Sequence, residues 1–365
     1  MIKIIAFYLP QFHEIEENNL WWGDRFTEWE NVKKAVPLFE GHRQPRIPLD
    51  EYYYDLGNVS AIKRQADIAN KYNIYGFCFY HYWFNGRMLL EKPVELLYKN
   101  KDIDLRYCFS WANETWSRTW TNEKEILIKQ TYGGKEEWKK HFMYFLPYFQ
   151  DERYIKVNNS PMLLIYKSAL IPDINRMMEY WNELAQKEGF DGIHFVETLR
   201  AKKRDNRTEN YSASVEFEPA RSINVRPAIV INFRRMKRRF IRIMNLITKK
   251  SKPENGIWKF QNIANISLRF KNDRNTYGGV FVGWDNSPRV NTRSFIITEP
   301  TRDEFQKLLN AKADKIIRNN DTDNQFIFVN AWNEWGEGTY LEADSVNKYM
   351  YLEEIKKFVS QQKAR

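Results

Sequence analysis

The chain has 365 residues, 43% of them hydrophobic and 28% charged, which suits a large buried core and excludes a disordered chain. Its two cysteines, Cys78 and Cys108, each lie in an apolar run, which excludes a disulfide framework or a Cys-rich zinc site. The net charge is +10, yet residues 226–252 alone hold ten Lys or Arg and no acid, so the excess is local and argues against a nucleic-acid partner.

The opening "MIKIIAFYLPQFHE" lacks the apolar length and small-residue cleavage site of a signal peptide. No window reaches the roughly 20 apolar residues of a membrane span. A cytoplasmic protein is the expectation.

Apolar, β-rich runs alternate with helical patterns along the chain. "KIIAFYLP" (3–10) reads as a buried strand, and 58–73 as a helix with Asn58 or Ser60 as its cap. A second strand spans 74–84, followed by a helix through "VELLYKN". A third strand covers 105–113, then "EEWKKHFMYFLPYF" reads as a helix up to Pro147. A fourth strand at 161–168 precedes an amphipathic helix ending at Gly189. Strands five to eight fall at 192–199, 213–219, 278–285 and 325–334, with a helical stretch between the last two and another closing the chain. Eight buried strands separated by helices form the pattern of a (β/α)8 TIM barrel. A doubly wound sheet would carry a Gly-rich phosphate loop after its first strand, and here "PQFHEIEENNLWWGD" follows. The expectation is one catalytic domain over 1–365, with 222–276 as a basic insertion or outer helix region.

In such a barrel the C-terminal strand ends converge on the catalytic face. Those ends carry Tyr8, then Tyr80, His81 and Tyr82, then Trp111, Asn113, Glu114 and Trp116. They continue with Tyr166, Glu197, Glu216 and Glu218, and Trp284 with Asp285. The last holds Trp332, Asn333, Glu334 and Trp335, with Glu337 just beyond. His13 and His81 are placed to hydrogen-bond a ligand; His194, mid-strand, reads as structural. The set forms a candidate substrate site. No HExxH or EF-hand spacing appears, and the "DID" (102–104) and "DTD" (321–323) runs precede strands, so they fall on the opposite face. No metal and no cofactor are expected.

Aromatic residues make up 16% of the chain, a surplus over core needs that suits stacking against sugar faces. Aromatics, carboxylates and no metal pattern suggest glycoside chemistry. That chemistry needs one group to protonate the leaving oxygen and a second to act at the anomeric centre. Two carboxylates with separated pKa values do this. "AWNEWGEGTYLEAD" (331–344) offers Glu334 and Glu337 in apolar company, where like charges are costly unless paired or used.

"AFYLPQFHEIEENNLWWGDRFTEWENVKKAVPLFEGHRQPRIP", "YGFCFYHYWFNGRMLLEKP", "CFSWANETWSRTW", "GWDNSPR" and "AWNEWGEGTYLEAD" together resemble the WbsX-type proteins, relatives of glycoside hydrolase family 99. The resemblance covers nearly the whole chain. It departs at Arg25, where the family often has glycine, and finds no motif from Ser222 to Thr276. It implies a (β/α)8 barrel in which Glu334 and Glu337 are catalytic. It also implies retention through a 1,2-anhydro sugar: Glu334 assists the sugar's own 2-hydroxyl and Glu337 serves as acid, then base. A competing arrangement pairs Glu114 as acid/base with Glu334 as nucleophile, about 5 Å apart across the barrel mouth.

The expected partner is an oligo- or polysaccharide, a bacterial surface glycan or its precursor. A glycosyltransferase using an activated donor is the alternative, and a non-catalytic glycan binder a third class. In 231–250, Met236, Phe240, Ile243, Met244 and Ile247 fall at helical spacing among Arg and Lys. Such a basic amphipathic helix suits peripheral contact with an anionic membrane, or else an outer barrel helix with a solvated basic face.

Overall fold

A computed structural model describes residues 1–118, 125–201, 209–225, 238–245, 252–271 and 273–363. Eight parallel strands close into a barrel: β1 Lys3–Tyr8, β2 Gly76–Phe84, β3 Arg106–Trp111, β4 Ser160–Ile165, β5 His194–Leu199, β6 Ala213–Glu216, β7 Thr276–Phe281 and β8 Phe326–Asn330. Each strand pairs with the next in the chain. β1 closes the ring by pairing with β2 (Ile5↔Gly76) and with β8 (Ile5↔Phe328).

These segments are strands because they are short runs of aromatic and branched residues bounded by turn formers, and because both of their faces are covered. Successive side chains point alternately into and out of the barrel. Phe7 points in, meeting Phe217 at 5.1 Å and Phe328 at 5.4 Å between ring centroids. Tyr8 points out and packs on Phe79 at 4.3 Å.

The outer layer comprises α1 Val59–Lys71, α2 Lys92–Lys99, α3 Lys135–Phe149, α4 Ile174–Lys187, α5 Phe260–Leu268, α6 Arg302–Asn319 and α7 Met350–Lys363. In α4 the buried set is Ile174, Met177, Met178, Trp181 and Ala185, one stripe at helical spacing. Trp181→Ala would cost about 3–5 kcal/mol by leaving a cavity there. Thr301 and Glu304 close a capping box at the start of α6.

One expectation needs adjusting. α3 does not stop at Pro147 but runs to Phe149, because a proline in the last turn forfeits a single hydrogen bond while Gln150 N still reaches Leu146 O at 3.1 Å. Within 222–276, the outer helix α5 buries Phe260, Ile263, Ala264 and Ser267.

The loops beyond the C-terminal strand ends are the elaborate ones. The β1 loop carries helices Glu16–Trp22 and Glu28–Lys34, the β7 loop carries Ser287–Val290, and β8 leads into the turn Trp335–Glu337. Among the described residues, no helix is long and apolar enough to cross a membrane.

Candidate active site

A cleft of about 730 Å³ opens at the C-terminal face of the barrel. Eight of the residues expected from sequence line it: Tyr80, Tyr82, Glu114, Trp116, Tyr166, Trp284, Glu334 and Glu337. Trp22, Phe26 and Phe295 add further aromatic wall.

The pair Glu334 and Glu337 sits around one guanidinium. Arg289 donates from Nη1 to Glu337 Oε1 at 2.6 Å, from Nη2 to Glu334 Oε2 at 3.2 Å, and from Nε to Glu28 Oε1 at 2.6 Å. Three carboxylates thus share one cation. Glu334 keeps 8% of its side chain exposed and Glu337 24%, so Glu337 reaches further into the cleft.

Burial raises both carboxyl pKa values, Arg289 pulls them back, and the neighbouring carboxylates push them up again. For Glu334 the result is about 8. Such a pair titrates as a unit, and near neutral pH it favours a state holding a proton. One protonated and one ionised carboxylate are what acid/base work requires.

The backbone makes this crowding possible at two glycines. A Cβ at Gly336 would collide with Glu28 Oε1 and come within 2.8 Å of Arg289 Nε. Gly338 ends the turn in the left-handed region, at φ 60°.

Tyr80 and Tyr82 flank the carboxylates from β2. Burial, helped by the Glu334 charge, holds both phenols well above their ordinary range, so they serve as neutral hydrogen-bond donors. Arg200 stacks over Tyr166 at 4.3 Å and also lines the cleft. Glu114 pairs with Lys167 on the same wall.

The remaining expected residues lie outside the cleft lining, some because of strand alternation and others because they tie loops together or are buried behind them. Tyr80 and Tyr82 face the cleft, so His81 between them faces out, where its Nε2 lies 2.8 Å from Nε2 of His141 on α3. Tyr8 likewise points out and donates to Gln65 on α1 at 2.6 Å. Trp111 is buried edge-on against His141, and His13 is buried without lining the cleft. Asn113 ties its loop to Lys167, donating to its carbonyl and accepting from its N–H, each at 2.8 Å. Asn333 does the same for Leu9, at 2.9 and 2.8 Å. Glu197 is buried within β5. Glu216 is held by Arg221 at 2.6 Å and by buried Lys312. Glu218 accepts from Ser267 at 2.8 Å. Asp285 accepts from Gln44 at 2.7 Å and meets His42 Nε2 at 2.8 Å, buttressing the β7 loop. Trp332 and Trp335 are buried, with both indoles donating to Glu342. His194, read as structural, meets Tyr277 OH at 2.6 Å inside the wall.

Glu28 and Arg289 escaped a search of strand ends because they sit on short helices within the loops. Both fall inside segments quoted for the family resemblance, "RFTEWE" and "NSPR", and that was the available signal. Among the described residues, no group of three or more His, Cys, Asp or Glu is arranged to hold a metal ion.

The sequence model of the family described as "Glycosyltransferase WbsX" matches residues 4–355. The chain belongs to that family. "Uncharacterized protein WxcX" of Xanthomonas campestris pv. campestris strain B100 is 32% identical to this WbsX-family chain over 352 residues. The match covers 96% of this chain and 48% of the relative, so the chain spans about half the length of the curated relatives it matches. Among solved structures, the GH99 endo-alpha-mannosidase from Bacteroides thetaiotaomicron superposes with TM-score 0.55 at 12% identity, covering 100% of this chain and 99% of that one. A "Glycoside hydrolase-like protein" superposes with TM-score 0.56 at 12% identity, covering 98% and 93%. At that identity the likeness shows the shared barrel fold.

Proposed function

We propose that this WbsX-family chain is a retaining glycosidase or transglycosylase acting on a bacterial surface polysaccharide or its precursor. The observation that carries the reading is the Arg289 fork, which binds Glu334 and Glu337 into one unit at the cleft.

In this reading ionised Glu334 takes the proton of the sugar 2-hydroxyl, and O2 attacks the anomeric carbon. Glu337 gives its proton to the departing glycosidic oxygen, leaving a 1,2-anhydro sugar. Glu337, now ionised, takes a proton from water or an acceptor alcohol, whose oxygen opens the anhydro ring at the anomeric carbon while O2 recovers its proton from Glu334. Two inversions give net retention. Neighbouring carboxylates suit two neighbouring oxygens of one sugar better than opposite faces of its ring. The pairing of Glu114 with Lys167, apart from the fork, disfavours it as the partner of Glu334. Trp22, Trp116 and Trp284 offer flat surfaces for flanking sugars.

The family's description favours a second reading, a glycosyltransferase that uses an activated donor. Proton NMR of the anomeric signals during cleavage separates the two. A first-formed product that keeps the configuration of the cleaved bond, without added sugar nucleotide, supports the glycosidase reading. An inverted product, or turnover only with a sugar nucleotide, overturns it.

We also propose peripheral contact with an anionic membrane through 231–250. In the helical stretch 238–245 the apolar Phe240, Ile243 and Met244 face solvent, interleaved with Arg239 and Arg242. The rest of 231–250, with Met236 and Ile247, lies outside the described residues. Sedimentation with anionic but not zwitterionic vesicles, reduced by Phe240→Glu, supports this placement. Equal sedimentation with both, or with neither, contradicts it.

A further inference from the structure

Behind the catalytic turn, four donors converge on one carboxylate that the mechanism does not use. Glu342 Oε1 accepts from Gln65 Nε2 at 2.7 Å and Trp332 Nε1 at 3.1 Å. Its Oε2 accepts from Tyr54 OH at 2.7 Å and Trp335 Nε1 at 2.7 Å. Each oxygen takes two donors, which suits the roughly four acceptor sites of an ionised carboxylate. A protonated carboxyl would have to release one of them.

Glu342 does not line the cleft. It closes a separate recess of about 40 Å³ on the far side of the turn. Its two indole partners bracket Asn333 and Glu334 in sequence, and Glu337 follows in the same turn. The Trp335 ring stacks on Tyr340 at 3.7 Å, and Tyr340 pairs back across the hairpin to Asn333. The Glu342 N–H also donates to Trp332 O at 3.1 Å. Main chain and side chain of one residue thus tie both ends of the loop that presents the pair.

We propose that Glu342 is a positioning residue of the reaction: as a carboxylate it clamps the indoles of Trp332 and Trp335 and fixes the turn that presents Glu334 and Glu337. The proposal rests on the reading of those two as the catalytic carboxylates. Burial raises the Glu342 pKa to about 7 against the pull of its four donors. The clamp is therefore complete above that pH and loosens as pH falls through it. The titratable and charged groups around it are Tyr8, Tyr52, Tyr54, Tyr349 and Arg64. Burial keeps Tyr8 and Tyr54 neutral, and the Arg64 guanidinium lies 4.1 Å over the Tyr52 ring.

The test follows the indole N–H signals of ¹⁵N-Trp-labelled protein, with those of Trp332 and Trp335 assigned through Trp332→Phe and Trp335→Phe. Both signals are expected to titrate together with a midpoint near 7, and to lose that titration in Glu342→Gln. On the glycan substrate, Glu342→Gln lowers kcat by about 10–100-fold, as a small misplacement of reacting groups does, with KM nearly unchanged. It also removes the step of the acidic limb centred near 7, leaving only the fall that comes from protonating the catalytic pair, and Glu342→Asp restores part of kcat together with that step. Tyr54→Phe is the gentler second variant: losing a donor raises the carboxyl pKa, so the acidic limb moves to higher pH.

Indole signals indifferent to pH and to the substitution overturn the proposal. So does an active wild-type enzyme whose Glu342→Gln form keeps kcat and pH profile and loses only Tm. If the wild-type protein cleaves no glycan, the glycosidase reading itself falls, and the indole titration still reports whether the clamp forms.

Discussion

Arg289 donates from Nη1 to Glu337 Oε1 at 2.6 Å, and this contact, with the longer one from Nη2 to Glu334, makes two carboxylates a single ionisable unit. Nε of the same guanidinium is committed to Glu28, so its position is fixed from the far side. A lysine offers one point charge and cannot hold three carboxylates in a plane. Arg289→Lys is expected to lower kcat by about 100-fold, the scale on which lost positioning acts. Weakening the cation raises the pKa of the pair, so the basic limb of the rate profile moves to higher pH. A Lys variant with unchanged kcat and limb would show that the fork is only structural.

The pair also sets a pH dependence. Activity needs the one proton the pair shares, which Glu337 carries in the reacting state, so kcat/KM is expected to fall as the pair loses it, as pH rises through about 8, the value to which burial lifts Glu334. Stability follows the same sign. The folded pKa values lie above the unfolded carboxyl value, so the folded state binds more protons between about 4.5 and 8 and loses stability as pH rises across that window. Glu334→Gln removes this term. It should raise Tm at pH 9 while abolishing turnover, and paired thermal scans at pH 5 and pH 9 check it.

Gly336 is where the fork meets backbone. A methyl there would displace Glu28 and crowd Arg289. Gly336→Ala is expected to cost about 1–3 kcal/mol, as overpacking does, and to lower kcat more than a stability loss alone explains. Denaturant unfolding together with kinetics on the folded protein measures both effects.

Arg25 adopts φ 58° with its side chain exposed. The left-handed region costs a non-glycine residue about 1 kcal/mol. Arg25→Gly should therefore raise stability by up to about that amount and leave kcat unchanged. A fall in stability would mean that the Arg25 side chain makes a compensating contact.

The barrel was legible because its strands are buried on both faces and announce themselves as unbroken apolar runs, as in "GFCFYHYWF" and "FIFVN". The strand ends gave Tyr80, Tyr82, Glu114, Tyr166, Trp284, Glu334 and Glu337, all in the cleft. They also gave Tyr8 and His81, because a list of strand-end residues ignores which way each side chain points. Register decides that, and a one-residue step reverses it. Glu28 and Arg289 come from loops after β1 and β7, far apart in the chain, and no local pattern says they meet. Glu342 was hidden for a different reason. It reads as one more loop acid until four donors from the β1 loop, α1 and the catalytic turn are seen to face it.

The central claim is that Glu334 and Glu337 act as one pair on a glycosidic bond. The most direct test is a mass-spectrometric product assay in ¹⁸O-water on surface polysaccharide or lipid-linked oligosaccharide, with and without sugar nucleotides. The wild type would be compared with Glu334→Gln, Glu337→Gln and Glu114→Gln. The account predicts shortened glycans with ¹⁸O at the new reducing end, lost in the first two variants and retained in the third. Lengthened glycans that form only with a sugar nucleotide, or label lost in Glu114→Gln and kept in Glu337→Gln, would contradict it.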